Sequence, residues 1–96
     1  MPACYILYSK SLGKYYIGAT SIDTAERLDR HSSGYYDNKF TSKANDWELF
    51  LEIVCLHVKQ AFAIEAHIKR MKSRKYIENL KRYPEMVEKL LIQYSS

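Results

Sequence analysis

Two stretches near the beginning of the chain combine β-branched and aromatic residues in the manner of β-strands. Residues 4–8 read Cys-Tyr-Ile-Leu-Tyr, residues 15–18 read Tyr-Tyr-Ile-Gly, and the polar segment between them contains Gly13. Such runs, joined by a short segment with a turn glycine, are typical of a β-hairpin.

Residues 47–54 form the next alternating stretch. Trp47, Leu49, Leu51 and Ile53 occupy every second position, with acidic residues among the positions between them. Alternation with a period of two predicts a third strand, with these four side chains on one face.

A helix is predicted between the second and third strands. Asp23 and Thr24 are residue types that cap helix N-termini, residues 25–33 form the body of the helix, and Gly34 suits its end. A polar loop without a clear period follows over residues 35–46.

From Lys59 onwards the apolar positions change to a helical period. The side of this helix that should face the core carries Ala61, Ile64, Ile68 and Met71. We expect a break near Ser73, a basic helix over residues 74–81, and a last helix over about 84–94 that Pro84 opens. The predicted order of elements is therefore β-β-α-β-α-α-α, an α/β or α+β arrangement.

Length and composition narrow the class of protein. The chain has 96 residues, of which 47% are hydrophobic and 27% charged, which predicts a single globular domain over residues 1–96. No apolar run approaches the roughly 20 residues that a membrane helix needs, and the chain does not start like a signal peptide. We expect a soluble cytoplasmic protein without membrane contact. Cys4 and Cys55 lie in apolar runs, which favours buried thiols and no disulfide.

Positive charge is concentrated in one segment. The net charge is only +4, but seven of the fourteen residues in segment 69–82 are Lys or Arg, and Glu78 is the single acid among them. We refer to residues 69–82 as the basic segment. Such a cluster is typical of a surface that binds phosphates, although a solvated helix face would carry the same charges.

One carboxylate falls within the predicted core-facing stripe. On a helical wheel Glu65 lies between Ala61 and Ile68, and a buried carboxylate needs a cationic partner. Lys69, one turn further on, could form an ordinary salt bridge with it. The alternative is a divalent cation, because Mg²⁺ often takes only one or two protein carboxylates.

Two further pairs could contact a phosphodiester. Arg27 and His31 are spaced i, i+4 and share one helix face, where a guanidinium could bind phosphate oxygens. If Leu7 lies opposite Tyr16 in the hairpin, Tyr5 and Tyr16 become diagonal neighbours on one face. Ordinary packing explains such tyrosines equally well. A glycine on that face, Gly18, would leave room for a ligand.

Four segments in order resemble the GIY-YIG nuclease superfamily. They are Ala3-Cys4-Tyr5, Lys14-Tyr15-Tyr16-Ile17-Gly18-Ala19-Thr20, Glu26-Arg27-Leu28-Asp29-Arg30-His31 and Ala63-Ile64-Glu65-Ala66-His67-Ile68-Lys69. The resemblance extends over about residues 3–80. It is to the small stand-alone bacterial members, which are related to the nuclease domain of the UvrC repair protein.

The resemblance implies a three-stranded antiparallel sheet flanked by helices and a catalytic set. That set comprises Tyr5, Tyr16, Arg27, His31 and Glu65. By analogy Glu65 would hold one Mg²⁺ or Mn²⁺ ion against the scissile phosphate, Arg27 would bind the same phosphate, and one phenol would help to activate the attacking water. His31 and the other phenol would orient the nucleophile or relay protons.

The function that follows is a metal-dependent DNA endonuclease or nickase acting in DNA repair or recombination, with branched or damaged DNA among its substrates. Its nucleic-acid-binding residues would be Lys69, Arg70, Lys72, Arg74 and Lys75. One alternative is a non-catalytic nucleic-acid-binding module on the same scaffold. A domain that binds only proteins is the third.

Overall fold

A computed structural model describes residues 2–21 and 46–95. These residues form three strands and then three helices. The strands are β1 (Ala3–Ser9), β2 (Lys14–Thr20) and β3 (Trp47–Val54), and the helices are α1 (Val58–Met71), α2 (Arg74–Arg82) and α3 (Pro84–Gln93). The predicted α+β class and antiparallel sheet are confirmed, while the helix predicted over residues 25–33 lies outside the described residues.

The sheet has the strand order β2-β1-β3, and both pairs are antiparallel. The predicted hairpin is correct in its register, because Ser9 pairs with Lys14 and Leu7 with Tyr16. Gly13 closes the turn with φ 62°, a left-handed conformation that glycine adopts without a steric penalty. Its amide donates to the carbonyl of Ser9 at 2.8 Å.

A carboxylate that the sequence patterns did not single out ties the start of β3 to the hairpin. Asp46 accepts hydrogen bonds from the Ser9 hydroxyl at 2.6 Å and from the Ser11 amide at 2.9 Å. These hydrogen bonds hold the pKa of Asp46 below its ordinary value, and the one from the Ser9 hydroxyl has a larger effect than the one from the Ser11 amide. The end of β1 and the beginning of β3 are thereby joined by side-chain contacts as well as by the sheet.

The prediction that four alternate residues of β3 share one face is wrong. The register shifts between Ile6 and Leu7, so that Ile6 pairs with Leu51 while Leu7 pairs with Leu49. The extra residue between them, Phe50, makes a β-bulge, and a bulge reverses the side to which the following side chains point. Ile53 and Leu51 therefore belong to the helix side of the sheet, and Leu49 to the opposite side.

The core lies between one face of the sheet and the three helices. Its fully or nearly buried members are Cys4, Ile6, Ala19, Ile53, Cys55, Ala61, Ile64, Ile68, Ile77, Leu80 and Leu90. Both cysteines are free and buried, as predicted. The prediction that Met71 belongs to this core is wrong, because its side chain is 44% exposed. It is the last residue of α1, where the helix no longer covers the sheet.

Gln60 is buried in α1, with only 1% of its surface exposed. Its side-chain oxygen accepts from the Leu56 amide at 2.7 Å, and its side-chain nitrogen donates to the Leu91 carbonyl at 2.9 Å. Both ends of the buried amide are therefore satisfied, and they join α1 to α3.

The helix boundaries agree with the capping signals. Ser73 caps α2, accepting from the Tyr76 amide at 3.1 Å, and Pro84 occupies the first turn of α3. No helix in the described part of the chain is long and apolar enough to span a bilayer.

Candidate active site

The hairpin register brings the two candidate phenols to one face of the sheet. Tyr5 pairs with Gly18 and Leu7 with Tyr16, so Tyr5 and Tyr16 are diagonal neighbours. Residues Cys4 and Ile6, which point the other way, lie in the core beneath the helices. The phenols therefore occupy the face opposite to the helices.

Gly18 is the position where the backbone and a phenol approach most closely. A Cβ atom at this residue would lie 2.6 Å from both Cζ and the hydroxyl oxygen of Tyr5. The ring of Tyr5, which is 2% exposed, fills the space above the glycine. The expectation that Gly18 leaves room for a ligand is therefore wrong, and the glycine instead allows the ring of Tyr5 to lie across β2.

Trp47 accompanies Tyr16 on this face. Their ring centroids are 6.3 Å apart in an edge-on arrangement, and both side chains are partly buried. The sequence pattern placed Trp47 with Leu51 and Ile53 instead, because alternation alone does not reveal the bulge at Phe50. The aromatic neighbour of Tyr16 was missed for that reason.

Glu65 lies on α1, half-buried, with 19% of its side chain exposed. Its carboxylate is 3.7 Å from the Lys69 ammonium, so the salt bridge considered as an alternative is present. Burial is the main cause that raises the pKa of the Cys4 thiol, and the negative charge of Glu65 is the second. The carboxylate therefore lies within electrostatic range of Cys4 in the central strand β1.

The flank of α1 that carries Glu65 is turned toward β2. Glu65 and Lys69 are spaced i, i+4 and lie on one side of α1, and Lys72 follows the last residue of the helix. Lys69 and Lys72 line a cavity together with Tyr15 and Ile17 of β2. The Tyr5 ring crosses the same strand on the opposite face of the sheet.

Arg27 and His31 lie outside the described residues. The structure therefore groups Tyr5 with Tyr16 and places Glu65 on the helix that packs on the other side of β2. The five-residue catalytic set as a whole stays a prediction.

The chemistry of Glu65 fits a single hard cation. One carboxylate suits Mg²⁺ or Mn²⁺, since Mg²⁺ keeps several waters and completes its shell with substrate phosphate oxygens. The Lys69 side chain is 54% exposed, and an ion pair with so exposed a partner contributes little to stability. Within residues 2–21 and 46–95, no three His, Cys, Asp or Glu side chains cluster as a metal site.

The cations predicted to bind nucleic acid are all exposed. Lys69 and Arg70 end α1, Lys72 follows it, and Arg74 and Lys75 begin α2. They therefore surround the junction between these two helices, where their charges are available to a ligand.

Comparison with known sequences identifies the family. The sequence model of the GIY-YIG catalytic domain matches residues 1–78, a range that contains Tyr5, Tyr16, Arg27, His31 and Glu65. The chain has no significant match among curated proteins or among solved structures. The matched range covers most of the chain and implies a nuclease-type function with DNA as substrate. This protein therefore belongs to the GIY-YIG nuclease superfamily.

Proposed function

We propose that this protein is a divalent-metal-dependent endonuclease or nickase that hydrolyses a DNA phosphodiester bond in DNA repair or recombination. The observation that carries the proposal is the match of the GIY-YIG catalytic domain to residues 1–78. The hairpin supports it, because two phenols share a face and one of them is held against Gly18.

The roles of the residues follow from their chemistry. A phenol of Tyr5 or Tyr16 would accept a proton from the attacking water, as general base catalysis requires. Arg27 would present its planar guanidinium to the phosphate oxygens, and His31 would orient the water. Glu65 would hold a single Mg²⁺ or Mn²⁺ ion, which when bound would supply positive charge at the scissile phosphate.

The packing of Tyr5 gives its hydroxyl a defined position. The ring is 2% exposed and lies against the backbone of β2 at Gly18, which restricts its rotation. A general base held in a fixed place needs little reorganisation in the transition state, and such positioning is a large part of catalysis.

Cleavage of supercoiled, branched and damaged DNA in the presence of Mg²⁺ or Mn²⁺ tests the proposal. We expect nicked or linear products from the wild type, none after chelation with EDTA, and a loss of at least about 10²-fold in rate for Tyr5→Phe and for Glu65→Gln. Tyr83→Phe and Glu88→Gln alter the same residue types at exposed positions and should cleave normally. Wild-type rates in both Tyr5→Phe and Glu65→Gln would show that the nuclease activity comes from elsewhere.

The second candidate function is a nucleic-acid-binding module that does not cleave. The exposed cations around the α1–α2 junction favour it. Neutralising Lys72, Arg74 and Lys75 should flatten the log–log salt dependence of duplex binding by about 0.9 for each phosphate that the variant no longer neutralises. Binding with this salt dependence, and no cleavage by wild-type protein with any metal, would favour the module over the enzyme.

A further inference from the structure

A cavity of about 480 Å³ lies between the hairpin turn and the α1–α2 junction. Residues 12–15 line its hairpin side, and Lys69, Lys72 and Arg74 line its helical side. Its volume falls within the range of small-molecule sites, which is about 300–1,000 Å³. The cavity is on the helix side of β2, away from the face that carries Tyr5 and Tyr16.

The lining combines an apolar floor with a cationic rim. Ile17, Ile68 and Ile77 contribute apolar surface, and none of the lining residues described is acidic. Together with Lys14, the three cations of the helical side give the rim four positive charges. A ligand that fits both parts carries a phosphate beside a flat or apolar group, and a nucleotide is such a ligand.

Tyr15 is an aromatic member of the lining with a fixed position. Its ring lies 4.8 Å from that of Tyr8 and 5.0 Å from that of Phe50, measured between centroids. The Arg74 guanidinium lies 5.6 Å from the centroid of the same ring. Burial, and then the Glu78 carboxylate, raise the pKa of Tyr15, so its hydroxyl stays protonated and able to donate a hydrogen bond.

Lys72 is a second indication that the cavity has a use. Its φ is 48°, and no other non-glycine residue within the described residues has a positive φ. The left-handed conformation costs a residue with a Cβ atom about 1–2 kcal/mol, and glycine is the usual residue after a helix in this conformation. Lysine at this position is therefore less stable than glycine would be, but it places a positive charge on the rim of the cavity.

The cavity also lies close to the candidate metal ligand. Lys69 lines the cavity and pairs with Glu65 at 3.7 Å, and the two residues are four positions apart on α1, about 6 Å along the helix axis. A strand whose scissile phosphate lay at Glu65 would therefore have a neighbouring nucleotide within reach of the cavity.

From this geometry we propose that the cavity binds one nucleotide of a single nucleic-acid strand, with its phosphate on Lys69, Lys72 and Arg74 and its base or sugar on the apolar floor. The inference rests on the proposed function, since it assumes that the substrate is a nucleic acid. The same nucleoside phosphate chemistry could come from a free nucleotide, and the test separates the two sources.

The test measures binding of a fluorescein-labelled single-stranded oligonucleotide by anisotropy in EDTA, where cleavage does not interfere. Lys72→Gly combined with Arg74→Gln should weaken binding at least about tenfold, because the variant cannot form these charge-assisted hydrogen bonds. The log–log salt slope should flatten by at most about 0.7, which is the value for the one phosphate that these cations share in a single strand. Lys59→Gln combined with Lys89→Gln removes the same charge from exposed positions outside the cavity and should have little effect.

Thermal unfolding checks that the cavity variant is folded. We expect it to fold, because glycine readily adopts the left-handed conformation at position 72. Equal weakening in the cavity and control variants would overturn the inference, because net charge alone would then explain it. Tight binding of a free deoxynucleoside monophosphate, with oligonucleotide affinity unchanged in the cavity variant, would overturn the assignment to a strand. Plasmid cleavage with Mg²⁺ is measured in parallel. If the wild type cleaves and the cavity variant binds the oligonucleotide normally, only the proposed nucleotide site is refuted. If the cavity variant binds more weakly but the wild type does not cleave, only the proposed nuclease activity is refuted.

Discussion

Replacing Gly18 with alanine tests whether the Tyr5 ring depends on a bare backbone at that position. The new Cβ atom would lie 2.6 Å from Tyr5 Cζ and from its hydroxyl oxygen, well inside van der Waals contact. The ring is 2% exposed and cannot swing into solvent without cost. Overpacking of this kind costs about 1–3 kcal/mol, whereas replacing glycine in a strand normally gains about 0.5–1 kcal/mol. We expect a net decrease of about 1–2 kcal/mol in the free energy of unfolding.

Urea and thermal denaturation measure this decrease. For a domain of this size, about 1–2 kcal/mol corresponds to a fall of roughly 4–16 °C in Tm. The clash should shrink when the end of the ring is removed, so Gly18→Ala should cost much less in a Tyr5→Leu background. Tyr5→Phe should not relieve it, because Cζ remains.

Gly13→Ala is the matched control. Nothing lies within 4 Å of a Cβ atom at Gly13, but its φ of 62° should make alanine costly through the backbone alone. That cost should be the same with Tyr5 or leucine at position 5. If Gly18→Ala leaves stability unchanged, or if its cost does not depend on Tyr5, the close packing of the phenol on β2 is refuted.

Three further predictions concern stability and reactivity. Asp46→Asn should lower Tm at neutral pH and have no effect in strong acid. Hydrogen bonds, of which that from Ser9 has the largest effect, lower the pKa of Asp46 in the folded protein. The stability that the Asp46 carboxylate contributes is therefore present above its unfolded pKa of about 3.9 and disappears as the pH falls through its folded pKa. Cys4 and Cys55 should resist a thiol reagent until the protein unfolds, since burial raises the pKa of both thiols, and rapid labelling of the native state would contradict this. Ile64→Ala should cost about 2–5 kcal/mol in urea denaturation, because it opens a cavity in the core.

Local signals determined the hairpin and the helix boundaries. A turn of known length fixes the register between its strands, which is why the placement of Tyr5 and Tyr16 on one face could be predicted. Ser73 and Pro84 mark helix starts through chemistry that acts within one turn.

The features that the sequence did not reveal depend on distant partners. The bulge at Phe50 accompanies its edge-on contact with Tyr15, 5.0 Å away between centroids, and alternation along β3 gives no sign of it. The burial of Gln60 depends on the Leu91 carbonyl, 31 residues further along the chain.

The candidate site also combines features that local sequence signals predict with features that depend on residues of other elements. The wheel position of Glu65 placed it in the core-facing stripe of the helix and left a salt bridge with Lys69 as one of two alternatives, and the structure contains that salt bridge. The filling of the space above Gly18 by the Tyr5 ring could not be foreseen, because it depends on the rotamer of a side chain on the neighbouring strand.

The central position of β1 has a consequence for how the chain folds. Its pairing with β2 is local and should form within about 1–10 μs, as hairpins do. Its pairing with β3 joins residues as far apart as Ala3 and Val54, which are 51 positions apart (54 − 3), and the entropy of closing a loop grows with its length. During refolding, β1 should therefore pass through a stage with one side unpaired, which is open to strands of other molecules. The yield of refolding should accordingly fall as the protein concentration rises.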